Sequence, residues 1–133
     1  MSREDVDVVR RVFEASSRRD SEAVLALYHP EVEWDASRTQ PGLGEFADVV
    51  HGHEGLREFF RVWREAWGTD EYRYEELIDA GDTVVSVASQ TGSGRASGVL
   101  VVRPLAGVWT IRDGRIVRVV WFPTREAALY APA

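Results

Sequence analysis

The tightest constraint on the fold of this chain lies in its second half. Residues 71–122 read as four strand-like runs: 71–79, 83–91 (TVVSVASQT), 98–111 and 115–122 (RIVRVVWF). Gly81-Asp82 marks a turn after the first run. Asp113-Gly114 marks a hairpin before the last, since Asp-Gly between alternating apolar segments favours a tight turn with both central residues at positive φ. Parallel neighbours need a crossover of about a dozen residues or more. These connections are shorter, so consecutive runs pair antiparallel in one strongly bent sheet.

Such a sheet needs cover for an apolar face, and the first half supplies helices. Residues 3–18 carry Val6, Val9 and Phe13 on one face with Val12 beside them, and Ser2 and Asp5 have capping-box spacing. Asp20 is placed to cap a second, short helix with Val24, Leu27 and Tyr28 inside. His29-Pro30 ends it, because the residue before a proline avoids the helical region. The stretch HPEVEWDA then alternates as a strand over about 31–36. Residues 37–52 show no period, and an irregular connection of that length is commonly functional or mobile. Residues 53–67 form the strongest helical pattern, with Leu56, Phe59, Phe60, Trp63 and Trp67 on one stripe. Residues 124–131 suit a short terminal helix. The order is helix, helix, strand, helix and four strands, which makes a single α+β domain of the 133 residues.

Composition removes several kinds of chemistry. The chain has no cysteine, so thiolate nucleophiles, thiolate metal sites and disulfides are out. Its sixteen basic residues are all arginine, which removes lysine Schiff-base catalysis. The net charge of −6 and the lack of a basic tract argue against nucleic acid. No apolar run is long enough for a membrane span, and MSREDVDVV is unlike a signal peptide, so the expected location is cytoplasmic. The glycines of GSGRASG lack phosphate-loop or dinucleotide spacing. No cofactor is expected. A metal site at His51 and His53 would need loop ligands such as Glu45 or Asp48 in an unusual set, and none is expected. His29 suits a helix-end cap.

The stretches DSEAVLALYHPEVEW, HGHEGLREFF, ELIDAGDTVV, GRASGV and VWTIRDGRIVRVVWF, followed by REAAL, resemble the SnoaL-like branch of the nuclear-transport-factor-2-like superfamily. The resemblance covers nearly the whole chain, and the hairpin stretch is its most specific part. It implies a cone: a curved antiparallel sheet wrapped by three helices from the N-terminal half, with an apolar pocket at one end (the cystatin-like α+β roll). Members include polyketide cyclases, ketosteroid isomerases, epoxide hydrolases and dehydratases, so fold alone does not fix function.

The resemblance also implies which positions face the pocket. These are Val32, Trp34 and Ala36; Val85, Val87, Ser89 and Thr91; Arg103, Leu105, Gly107 and Trp109; and Val117, Val119 and Trp121. Phe60, Trp63 and Trp67 join them from the third helix, and Tyr28 from the second. Among these, Tyr28, Trp34, Phe60, Trp63, Trp109, Val119 and Trp121 are the candidate ligand-binding residues for a flat hydrophobic small molecule. The isomerase base falls at Ala36, the oxyanion tyrosine near Val12 and the second acid at Gly107, and none carries the required group. Asp35 is one residue from the base position and faces the other way unless the strand bulges. Arg103 is the charged inward residue. Asp35 and Arg103 are therefore the candidate catalytic groups.

The opposite parity leaves Leu100, Val102, Ala106, Val108, Ile116, Val120 and Phe122 outside, with Arg118 among them. An apolar outer face needs cover, and a homodimer through it is expected. Three functional readings follow: an acid–base enzyme acting on a hydrophobic metabolite, a non-catalytic binder of such a molecule, or a dimerising interaction module with a vestigial pocket.

Overall fold

The computed structural model describes residues 2–38, 49–94, 98 and 100–130, apart from the side chains of 2, 66–72, 94, 100, 101 and 103. Helices α1 (Ser2–Ser17) and α2 (Ser21–Ala26) lead into β1 (Tyr28–Asp35). A short β2 (Val49–His51) precedes α3 (Gly52–Ala66). Strands β3 (Trp67–Asp79), β4 (Val84–Gly94), β5 (Leu100–Arg112) and β6 (Arg115–Phe122) follow, then α4 (Arg125–Leu129). The expected irregular loop lies mostly at 39–48, outside the described residues.

The six strands form one sheet in the order β2-β1-β6-β5-β4-β3. The four C-terminal strands pair antiparallel in sequence order, as their short turns require. Asp113 and Gly114 take φ 53° and 78°, the left-handed pair of a tight hairpin turn. The connection from β1 to β6 crosses the whole sheet, and these two strands pair parallel within the otherwise antiparallel sheet. The result is the α+β roll: a curved sheet with α1, α2 and α3 against its inner face.

Register explains what each face carries. One inner row runs Trp34, Val119, Trp109, Val84 across β1, β6, β5 and β4. The next runs Trp121, Gly107, Ser86. These positions join Val9, Val12 and Phe13 of α1, Leu25 of α2 and Leu56 of α3 in the main core. On the outer face, Val85, Ala106, Val120 and Phe122 make a smaller cluster closed by Ala128 of α4. Thr124 caps α4, its hydroxyl oxygen accepting the Ala127 N–H at 3.1 Å. Arg125 ties the helix to Glu76 of β3 at 3.0 Å.

Three sequence expectations are corrected. The inward set on β4 is Val84, Ser86 and Ala88, and Val85 lies in the outer cluster. Both parities of TVVSVASQT hold small or apolar residues, so its pattern could not choose a face. On β6, Ile116 is in the main core and Val117 is not, the reverse of the expectation. The register shifts between Thr110 and Ile111, and such a bulge inverts parity beyond it. Trp67 belongs to β3 and not to α3, since the helix stops at Ala66 before Gly68. Of the expected outer residues, Leu100 has its side chain outside the described set.

Candidate functional site

A continuous ladder of rings fills the inner face of the cone. Tyr28 stacks near Trp109 with centroids 6.3 Å apart. Trp109 meets Trp121 edge-on at 5.3 Å, and Trp121 meets Trp34 at 5.9 Å. Trp34 packs on Phe59 at 4.6 Å, and Phe59 stacks on Trp63 at 5.9 Å. Offset and edge-on pairs of this kind add about 0.5–1.5 kcal/mol each beyond the area they bury.

The deep end of this ladder is solid. Trp109 and Val119 are 0% exposed. The Trp109 indole N–H donates to Ser86 Oγ at 2.9 Å. Gly107 makes that bond possible: a Cβ there would lie 2.8 Å from Trp109 Nε1 and 3.0 Å from both Ser86 Oγ and Trp121 Cζ3. Trp121 has no such arrangement, and its buried Nε1 has no hydrogen-bond partner.

The shallow end is open. A cavity of about 270 Å³ lies between the α1–α2 turn, α3 and β1. Val24, Trp34, Phe59, Phe60 and Trp63 form its apolar wall; Ser16, Ser17, Arg19, Asp20, Ser21 and Arg64 form its polar rim. The helices position these groups for separable reasons. Phe59, Phe60 and Trp63 follow one another at helical spacing on α3. Val24 sits on α2, whose first turn is capped by Asp20 Oδ1 accepting the Ala23 N–H at 3.1 Å. Arg57 of α3 bonds Glu22 of α2 at 3.1 Å, so the two helices flank the opening as a linked pair.

Of the expected ligand-binding residues, Trp34, Phe60 and Trp63 line the cavity. Tyr28, Trp109, Val119 and Trp121 pack in the core beneath it. Asp35 is 7% exposed and pairs in register with Val120 of the outer cluster, on the face away from the cavity. Its Oδ1 accepts the Ser37 N–H at 2.8 Å and the Ser37 hydroxyl at 2.6 Å. The shift in the β1 register falls between Tyr28 and Glu33, before Asp35. Arg103 pairs in the β4–β5 ladder with Gln90, and its side chain lies outside the described residues. Of the rim residues, Asp20 was legible only as a helix cap, and nothing in the sequence marked Arg19 or Arg64 as part of a cavity.

Two of the three histidines make local contacts. His53 Nε2 lies 2.8 Å from the Tyr28 carbonyl oxygen, and His29 Nδ1 accepts the Glu31 N–H at 3.0 Å. Among the described residues, no group of three or more His, Cys, Asp or Glu side chains could hold a metal ion. No helix among them is long and apolar enough to cross a membrane.

A family model described as the SnoaL-like domain matches residues 9–119. The chain belongs to the SnoaL-like family. Solved structures agree over nearly the full length. TerC, co-crystallised with polyporic acid, is 25% identical, with 93% of this chain and 94% of that chain covered and a TM-score of 0.79. An NTF2-like protein of Burkholderia thailandensis is 27% identical, with 96% and 98% covered and a TM-score of 0.80. A protein of Xanthomonas campestris with a cystatin-like fold is 23% identical, with 96% and 98% covered and a TM-score of 0.78. No curated protein matches the chain. The resemblance sets the isomerase base at Ala36, the tyrosine near Val12 and the second acid at Gly107. Ala36 and Val12 are buried core residues, and Gly107 serves the Trp109–Ser86 contact.

Proposed function

We propose that this SnoaL-like chain takes up a hydrophobic aromatic small molecule in the cavity beside Trp34. The observation that carries this reading is the wall: five apolar side chains, four of them aromatic, around about 270 Å³ of open space. That volume is near the lower end for ligand sites and suits a molecule of one or two fused rings. The co-crystal of TerC with polyporic acid supports small-molecule occupancy of this fold. The wall favours binding over acid–base chemistry. Among the described lining residues Asp20 is the only carboxylate, and its Oδ1 caps α2. Asp35 faces the other side of the sheet and plays no part in this reading.

Calorimetric titration with 2-naphthamide, a neutral two-ring probe, tests it. Saturable binding at one site is expected. Ser16→Trp, which plugs the rim from a half-buried position on the last turn of α1, abolishes binding without lowering the melting temperature. Undiminished binding to the plugged variant overturns the placement.

The same reading carries a homodimer through the outer sheet face. α4 covers that face only in part, and Val102 on it is 63% exposed. A monomer by light scattering at micromolar concentration removes the dimer.

A further inference from the structure

Two indoles lie side by side in the core, and only one of them is satisfied. Trp109 and Trp121 meet edge-on with centroids 5.3 Å apart. The Trp109 N–H donates to Ser86 Oγ at 2.9 Å. Trp121 is 6% exposed, and its buried Nε1 has no hydrogen-bond partner. A buried donor without an acceptor has lost its hydration and gained no bond, so folded proteins keep few of them. Packing does not explain this one, because a phenyl ring fills much of the same space with no polar atom.

The shape of the indole fixes where the N–H lies. Nε1 stands across the ring system from Cζ3. Cζ3 sits against Gly107 of β5, 3.0 Å from the place a Cβ would take. The N–H end is therefore the end turned away from Gly107. Strand β6 lies between β5 and β1. On the β1 side stands Trp34, its ring centroid 5.9 Å from that of Trp121. Trp34 also forms part of the cavity wall. It thus packs against the unsatisfied indole and borders open space. A ring face is a weak acceptor beside an oxygen, so Trp34 does not stand in for the missing partner.

We infer that Trp121 is the specificity-determining donor of this cavity: its indole N–H bonds the carbonyl oxygen of a neutral aromatic ketone, reached when the Trp34 ring tilts into the space beside it. The inference rests on the small-molecule reading above. Apolar pockets select their ligands through a few placed polar groups. A donor already stripped of water loses no further hydration when the ligand arrives. A matching acceptor makes the missing bond, whereas a hydrocarbon of the same shape leaves it unmade.

The test compares 2-acetylnaphthalene with 2-isopropenylnaphthalene, which differ only in C=O against C=CH2, by calorimetry on the full chain. The wild type binds the ketone about fivefold more tightly or better, as one added hydrogen bond implies. A site without a donor gives the opposite order, because only the ketone leaves hydrogen bonds to water behind. Trp121→Phe accordingly reverses the preference. Proton–nitrogen NMR on the unmutated chain gives a second readout that needs no variant to fold. There the Trp121 indole N–H resonance moves further downfield with the ketone than with the hydrocarbon. Equal or reversed wild-type affinities, an indole resonance that answers both probes alike, or a ketone preference that survives Trp121→Phe overturns the donor assignment and leaves the cavity reading standing. Binding of neither probe removes the cavity reading and the donor assignment with it.

Discussion

Trp109 and Trp63 both face the inner side of one curved sheet, and their surroundings differ. Trp109 comes from a strand paired on both sides, where Val84 of β4, Val119 of β6 and Tyr28 of β1 converge on it and Gly107 opens a slot for its N–H to reach Ser86. Trp63 comes from a helix that leans over the sheet, with Phe59 stacked on it and open space beside it. The same residue type is core in one case and wall in the other. Convergence of strands, and not aromatic content, decides which part of the cone closes. The predictions below press on that contrast.

The largest effect belongs to the closed end. Trp109→Ala removes a fully buried ring that cannot be replaced by water, and about 3–5 kcal/mol of stability goes with it. Phe60→Ala only widens an existing cavity and costs about 1–2 kcal/mol, while it weakens 2-naphthamide binding. Chemical denaturation of both variants reads the difference. Equal losses mean that the open end is as tightly packed as the deep end, and the contrast fails.

Gly107→Ala is the next step down. The new Cβ must push apart an indole nitrogen, a hydroxyl and a second indole, all within about 3 Å. Overpacking of that kind costs about 1–3 kcal/mol. A neutral result shows that the slot is slack. A finer comparison sets Trp109→Phe against Trp121→Phe. Both lose ring volume, but only the first removes a satisfied hydrogen bond and orphans a buried hydroxyl. Trp109→Phe is therefore the more damaging by about 1 kcal/mol.

The fold was legible in the sequence, and the site only in part. The Asp113-Gly114 turn, the Asp20 cap and the α3 stripe each rest on local chemistry that any context preserves. The β1 alternation separated two faces, and the resemblance set Val32, Trp34 and Ala36 on the inner one, where the core holds them. Parity went astray where local pattern carried no bias. Ser86 looks like a surface residue until Trp109 is seen to need it. A bulge at Thr110–Ile111 leaves no mark in the order of Val and Ile residues, yet it exchanges Ile116 for Val117. The rim was invisible for a different reason. Arg64 meets Arg19 and Asp20 at the rim only because α3 converges on the α1–α2 turn, and no motif spans that distance in sequence.

The smallest effect tests the rim. The Glu22–Arg57 pair links α2 to α3 beside the cavity, with both side chains largely in solvent. The hydrogen bond from Arg57, and then its charge, hold the Glu22 carboxyl below the usual carboxylate value. A carboxyl lowered in this way favours the folded state above its ordinary pKa, and that contribution fades as pH falls through the folded-state value. Exposed pairs of this kind are screened and contribute little. Arg57→Gln should therefore return the Glu22 titration to the ordinary range by NMR, with the melting temperature at neutral pH unchanged. A shift of several degrees would mean that the polar flank holds α2 in place as firmly as the rings hold the core. The difference between a packed floor and a lightly tethered rim would then be lost.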